Sequence, residues 1–355
     1  MSGRALIAMS GGVDSSVAAY LMKAAGYDCL GATMRLYDNE DAGTPKGHPC
    51  CSLDDVEDAR SVAFRLGIPH YVFNFTVDFK TCVIDRFACA YECGATPNPF
   101  IDCNRYLKFG KLMQRMKELG LDYVATGHYA RIERQNGRLL LKKAADEGKD
   151  QSYVLYAMTQ EQLAHTLFPL GGMSKTETRR IAEAQGFLNA HKHDSQDICF
   201  APDGDYARAI RLDTGKDYLC GRFIDQSGRI LGEHRGIIYY TIGQRRGLGL
   251  AMPEPMYVVA KRSEDNTVVL GRNSDLLSRK LDAVDFNWIA CDSPTETLRV
   301  RAKVRYRQPE QRCTVTPTGK NAIHLQFDEP KRAVAKGQAV VLYDGDVVVG
   351  GGTID

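Results

Sequence analysis

No stretch of this 355-residue chain approaches the roughly 18 consecutive apolar residues of a membrane-spanning helix, which excludes a membrane-spanning class. The start, Met1-Ser2-Gly3-Arg4 ahead of a five-residue apolar run, is no signal peptide, so a cytoplasmic location is expected. Internal repeats and low-complexity segments are absent. Gly-x-x-x-x-Gly-Lys-Ser/Thr is missing, which removes an ordinary P-loop, and no Gly-x-Gly-x-x-Gly opens a helix. Charge of one sign is not in excess either. The net charge is +2, so a nucleic-acid partner needs a local basic face. The 11 cysteines (29, 50, 51, 82, 89, 93, 103, 199, 220, 291 and 313) are odd in number and scattered, which argues against a disulfide framework. Cys89-x-x-x-Cys93 and His48-x-Cys50-Cys51 lack the Cys-x-x-Cys spacing of a zinc site, so no metal centre is expected.

What is present is ordinary in bulk. Hydrophobic residues make up 44% and charged residues 25%, as in a globular protein of two or three domains. The order of elements is informative. The apolar run Ala5-Leu6-Ile7-Ala8-Met9 leads into Ser10-Gly11-Gly12-Val13-Asp14-Ser15 and then a helix over 16–25. Gly11 and Gly12 leave the backbone open to an anion, and the amides at the helix start point at it. The loop resembles the pyrophosphate-binding loop of ATP pyrophosphatases, which implies that ATP is split into AMP and pyrophosphate.

Strand and helix patterns alternate over the first 200 or so residues. Strands are expected over 27–37, 70–75 and 122–126, and helices over 54–66, 77–91 and 105–119, the last capped by Asn104. Asn136-Gly137 marks a hairpin between 130–134 and 138–142, and Ser174-Lys175-Thr176-Glu177 a capping box opening a helix to about Gln185. From residue 218 short strands dominate, as at 236–240, 256–260, 268–270 and 339–343. The expected fold is α/β: an N-terminal domain over 1–204 with a parallel sheet and helices on both faces, a small β-rich middle domain over 205–278, and a C-terminal β-barrel over 279–355.

Two cysteines stand in telling surroundings. In Thr96-Pro97-Asn98-Pro99-Phe100-Ile101-Asp102-Cys103-Asn104, two prolines stiffen a loop that delivers Cys103 to a helix start. A thiol there has more thiolate character, as a nucleophile needs, though a buried loop cysteine is the plain alternative. Cys199 closes the α/β region in Asp194-Ser195-Gln196-Asp197-Ile198-Cys199-Phe200, whose polar flanks suggest partial exposure. An ATP-activating loop with two such thiols suggests sulfur chemistry. Every odd position of 299–307 is basic, so as a strand it presents a five-charge row on one face. Phosphates are the obvious partner for such a row, and a solvated strand face is the alternative.

These segments, with Cys50-Cys51-Ser52, Lys108-Phe109, Thr126-Gly127-His128-Tyr129, Lys149-Asp150-Gln151-Ser152-Tyr153, Thr241-Ile242-Gly243-Gln244-Arg245 and Arg305-Tyr306-Arg307, resemble the bacterial tRNA-specific 2-thiouridylase family in order and spacing along the whole chain. The resemblance implies 2-thiouridine made at the wobble position of tRNA. ATP adenylates the uridine C2 oxygen, a poor leaving group otherwise, and sulfur then replaces it. Cys199 would carry the persulfide and Cys103 would attack it, leaving a transient disulfide. The persulfide comes from a cysteine desulfurase, directly or through a sulfur-relay protein. Ala8, Met9, Ser10, Gly11, Gly12, Val13, Asp14, Ser15, Met34 and Gly127 are implied to bind ATP. Mg²⁺ is expected on the pyrophosphate, with Asp14 helping to hold it.

Asn98, Pro99 and Phe100 are implied to meet the flipped base, and His128, Lys149, Asp150, Gln151, Arg305, Tyr306 and Gln338 the tRNA. The family often carries a carboxylate or a cysteine where this chain has Phe100, which leaves the acid/base open and removes a ligand from any iron–sulfur cluster held with Cys103 and Cys199. Two other readings stay open at this point. One is an amide-forming ligase with the same loop, which needs no cysteine pair; the other is a tRNA-binding protein without thiolation activity.

Overall fold

The computed structural model describes residues 2–37, 53–193, 198–201 and 203–355. His48, Cys50, Cys51, Ser52 and the 194–197 part of the Cys199 segment lie outside the described residues. The chain divides into two compact units. The first comprises Met1–Val83, Phe100–Gly204 and Gly345–Val348; the second comprises Ile84–Pro99, Asp205–Asp344 and Val349–Asp355.

The first unit is built on β1 (Ser2–Ala8), β2 (Tyr27–Arg35), β3 (His70–Asn74), β4 (Tyr123–Ala125) and, after a hairpin of β5 (Ala130–Gln135) and β6 (Arg138–Lys143), β7 (Thr166–Leu167). The five-stranded sheet has order β3-β2-β1-β4-β7 and every pair is parallel. Ala5, Leu6 and Ile7 of the central β1 are fully buried, as a strand covered on both faces requires. Helix α1 (Val13–Ala24) follows β1, and α2 (Leu53–Leu66) precedes β3. Val13, Val17, Ala18 and Met22 recur at helical spacing and form one face of a core shared with Ala59, Val62, Ala63 and Leu66 of α2. Truncating a core residue such as Ile7 to alanine costs about 2–5 kcal/mol. Asn136 (φ 50°) and Gly137 (φ 81°) make the hairpin turn as expected from their sequence.

Between β3 and β4 the chain is helical in two long runs. One comprises α3 (Thr76–Phe79), a π-helical turn Lys80–Ile84 and α4 (Asp85–Glu92). The other comprises α5 (Pro99–Asp102), a nine-residue π-helical segment Cys103–Lys111 and α6 (Leu112–Glu118). This corrects one expectation. The helix starts at Pro99, whose missing N–H and fixed φ suit a first turn, rather than at Arg105. Asn104 does not cap it; it is buried and donates Nδ2–H to the Val154 carbonyl at 3.0 Å. The unit also holds α7 (Gln160–Ala164) and α8 (Lys175–Ala184), which opens on the expected capping box, Ser174 accepting from the Glu177 amide at 3.2 Å.

In the second unit, α9 (Tyr206–Thr214) leads to β8 (Gly221–Ile224), β9 (Ile230–His234), β10 (Tyr257–Arg262) and β11 (Thr267–Gly271), a four-stranded sheet of order β10-β11-β8-β9. The expected strand over 236–240 is instead a 3₁₀ turn, Ile237–Tyr239, entered through Gly236 at φ 122°. The last strands are β12 (Leu277–Trp288), β13 (Leu298–Lys303), β14 (Gln311–Gly319), β15 (Ala322–Arg332), β16 (Ala339–Asp344) and β17 (Val347–Ile354). Their order β12-β15-β14-β13-β16-β17 returns to β12 through Ala283–Ile354 pairing, so the barrel closes. Leu281, Val315, Leu325, Phe327 and Leu342 fill it. Thus the fold class is α/β with a closed C-terminal barrel. No described helix is long and apolar enough to cross a membrane.

Candidate active site and its surroundings

The loop between β1 and α1 lies at the carboxyl edge of the parallel sheet. Ser10 is exposed and Gly12 half-exposed. Gly12 is the N-cap of α1, and no side chain caps the first turn, so its amides present an anion site as they stand. The two glycines differ in why they are needed. Gly11 has φ +72°, and a Cβ on it would lie 2.3 Å from the Asp55 carbonyl oxygen. At Gly12 the nearest atom, Ser10 Oγ, is 3.5 Å away, ordinary contact. Packing against α2 therefore demands glycine at 11, whereas the open side of the loop suits glycine at 12.

The loop is held rigid from behind. Ser15 and Ser16 hydroxyls each donate to the Gly12 carbonyl at 3.0 Å, and the Ser10 amide donates to Ser15 Oγ at 3.1 Å. Buried Asn189 donates Nδ2–H to the Gly11 carbonyl and to Ser16 Oγ, both at 2.9 Å. Lys192 bridges Asp55 and Asp58 at 2.6 Å each. Burial opposes its charge, but the two carboxylates outweigh that and raise its pKa above the ordinary lysine value.

Asp14 is engaged by neighbouring side chains. Its carboxylate takes the Lys175 ammonium at 2.7 and 2.8 Å and the Tyr129 hydroxyl at 2.8 Å. Among the described residues no group of three metal-ligating side chains exists. Residues of the loop thus fit the phosphates of a nucleotide better than they fit a bare Mg²⁺. Neither Lys175, Asn189 nor Lys192 was flagged by the sequence; only the capping box pointed near the first. Gly127 packs on the same helix start, where a Cβ would meet the Asp14 carbonyl carbon at 2.7 Å and the Ser15 nitrogen at 2.8 Å. Met34 is half-buried near the end of β2, in register with Phe73, while Ala8 and Met9 carry β1 into the loop. The Met9 amide donates to Ala32 at 2.8 Å.

Cys103 and Cys199 are both half-buried and both in the first unit. Cys103 sits one turn inside its helix rather than at its terminus. Phe200, next to Cys199, meets Phe79 ring to ring at 6.1 Å. Asp78, beside Phe79 on α3, pairs at 2.9 Å with Lys111 of the Cys103 segment. The neighbour of Cys199 and the segment that carries Cys103 thus both contact α3.

His128 is 7% exposed, between Phe109 and Phe168. Burial, and then the Lys108 charge, hold its pKa well below the ordinary imidazole value. Lys108 can only donate, at 3.4 Å, so Nε2 accepts and Nδ1–H donates to Thr126 Oγ1 at 2.7 Å. Asp150 accepts from the Ala144 and Ser152 amides at 3.1 Å each, and Gln151 exchanges two hydrogen bonds with the Tyr129 backbone at 2.9 Å. These three side chains shape their own loops, and Lys149 beside them is half-exposed.

In the second unit Asn98 is half-exposed and Pro99 buried, while Phe100, the first residue of the next stretch of unit one, is 44% exposed. Gln338 donates Nε2–H to the Thr96 carbonyl, and Arg305 donates to the carbonyls of Ile242 and Ala333 at 3.3 and 3.2 Å. Tyr306 is exposed at the surface. The basic row needs correction. β13 ends at Lys303, so Arg305 and Arg307 lie in a turn, and Arg299 is neutralised by Asp328 through two 2.9 Å contacts. The strand itself alternates as expected only over Arg299, Arg301 and Lys303.

Family models match the chain in three blocks: a tRNA methyl transferase HUP domain over 3–203, a tRNA methyl transferase PRC-barrel domain over 215–272 and an aminomethyltransferase beta-barrel domain over 278–354. The fold and the glycine-serine loop thus define a nucleotide-binding HUP-domain protein extended by two β domains. Full-length relatives are narrower in kind. A tRNA-specific 2-thiouridylase MnmA of Clostridioides difficile is 50% identical over 357 residues, spanning 100% of this chain and 99% of that protein. The MnmA of Lachnoclostridium phytofermentans is 50% identical over 353 residues, spanning 99% of each. The chain belongs to the tRNA-specific 2-thiouridylase family. A solved 4-thiouridine synthetase–RNA complex with bound ATP is 18% identical, covers 60% of this chain and 53% of that one, and has a TM-score of 0.37, too slight a likeness to carry weight.

Proposed function

We propose that this protein is an ATP-dependent tRNA 2-thiouridylase acting in the cytoplasm. The observation that carries the reading is one compact unit holding an uncapped glycine-serine helix start together with two half-buried cysteines. Neither an amide-forming ligase nor a passive RNA binder needs that combination.

The uridine C2 oxygen attacks the α-phosphorus of ATP, and pyrophosphate leaves into the Ser10–Val13 amides. Ala8 to Ser15, Met34 and Gly127 line the nucleotide, and Mg²⁺ arrives on the phosphates. Cys199 carries a persulfide delivered by a desulfurase or relay protein. Its terminal sulfur reaches C2, either directly or as sulfide, and AMP departs with the former C2 oxygen. The Cys103 thiolate attacks the inner sulfur and ends in a disulfide with Cys199, which two electrons from a cellular thiol reset.

The exposed ring of Phe100 suits stacking on an extruded uracil, a role a carboxylate there does not fill. Asn98 and Pro99 flank it, and Lys149, Tyr306 and the exposed Arg301 offer surface for the rest of the tRNA. His128 acts from beneath, by holding Lys108. The test is mass spectrometry of nucleosides from unmodified tRNA incubated with ATP, Mg²⁺ and a persulfide source. The reading expects 2-thiouridine with matching AMP; unchanged uridine beside a competent donor overturns it.

A further inference from the structure

We infer that Lys175 is a pyrophosphate ligand of this site, held in reserve by Asp14. This rests on the ATP-cleaving reading above and adds a residue to it.

Lys175 is the first residue of α8, at the helix end where a cation is disfavoured by the dipole. Its backbone amide is already taken by Asp146 Oδ2 at 2.9 Å. Its side chain is only 12% exposed, so the ammonium is carried inward at a desolvation cost. The carboxylate it meets is the second residue of α1, one step from the loop amides. Positive helix ends of α1 and α8 and one ammonium therefore converge, with Asp14 as the counter-charge between them. A pair this placed in order to stabilise the fold has the wrong helix end under its lysine. A cation waiting for a polyanion does not.

Asp14 is itself fixed, because Tyr129 donates its one hydroxyl proton to Oδ1, and the same phenol oxygen lies 3.0 Å from Thr178 Oγ1 in the next turn of α8. When a triphosphate occupies the loop, the ammonium need only turn from carboxylate to phosphate oxygen. No bond is made or broken, and the charge on the leaving pyrophosphate is met as it develops.

Titration calorimetry of the full chain with inorganic pyrophosphate, and separately with AMP, in metal-free buffer tests this. K175M is expected to weaken pyrophosphate binding on the order of tenfold or more, with AMP affinity and unfolding temperature near wild type. K175R keeps most of the affinity. D14N, which frees the lysine, binds pyrophosphate at least as tightly as wild type. A purely structural pair predicts instead that K175M and D14N fall alike, and that result, or wild-type pyrophosphate affinity in K175M, overturns the inference. Should K175M fail to fold, D14N decides: weaker pyrophosphate binding overturns the inference, and undiminished binding supports it. A wild-type protein that binds neither pyrophosphate nor ATP overturns the ATP-cleaving reading as well.

Discussion

Thr96 is gripped at both backbone atoms by one barrel turn: Gln338 Nε2–H donates to its carbonyl at 2.8 Å, and its amide donates to the Lys336 carbonyl at 2.8 Å. Gly337, at φ +84°, makes the turn possible, since a Cβ there would lie 2.9 Å from Ala95 Cβ. The stretch around Thr96 is thus held by the C-terminal barrel. Q338A is expected to cost about 1 kcal/mol of stability and to lower kcat/KM for tRNA thiolation more than it lowers ATP affinity. Steady-state assays varying tRNA and ATP in turn check this; equal losses in both contradict it.

Substitution separates the two loop glycines. G11A forces a side chain into the Asp55 carbonyl at a positive φ and should destabilise by about 2 kcal/mol or more. G12A meets only ordinary contact, so its unfolding temperature should stay near wild type while ATP binds less tightly. Thermal denaturation and nucleotide titration of both variants decide.

His128 predicts an acid-side loss of stability. Its folded pKa is depressed, so the unfolded chain binds the extra proton, and stability falls as pH drops below the ordinary imidazole value. The slope is about 1.4 kcal/mol per pH unit for one such group. His70 and His234, also depressed by burial, add to it. H128N should flatten one group's share of the denaturation profile between about pH 6.5 and 5; an unchanged slope contradicts the assignment.

Lys261 gives the opposite window. Burial pushes its pKa down to about 8, with the ammonium over the Tyr91 ring and donating to Ala95 at 3.3 Å. The unfolded lysine holds its proton to higher pH, so its burial costs stability below pH 8 and is relieved as pH rises toward the ordinary value. K261M should be more stable than wild type at neutral pH, by at most about 3 kcal/mol, and the gap should close toward pH 10. Paired denaturation curves at the two pH values measure it.

Much of this was legible beforehand because local chemistry and fold agreed. Ala5–Ile7 reads as a buried central strand, Ser174–Glu177 as a helix start and Asn136-Gly137 as a turn, and each is found so. The misses have one cause, that tertiary partners overrule local signals. Asn104 looks like a cap until Val154 claims it. The 299–307 alternation stops at Lys303 because the chain turns, and Asp328, 29 residues away from Arg299, cancels one charge. Lys175 could not be paired with Asp14 across 161 residues without the fold.

In the proposed reaction, ATP activation and sulfur transfer are separate tasks of one site. Nucleosides and AMP measured together for wild type, C103S and C199S test it most directly. Wild type is expected to give 2-thiouridine with AMP, and both variants tRNA-dependent AMP formation with no 2-thiouridine. Thiolated uridine at wild-type levels in both variants contradicts it.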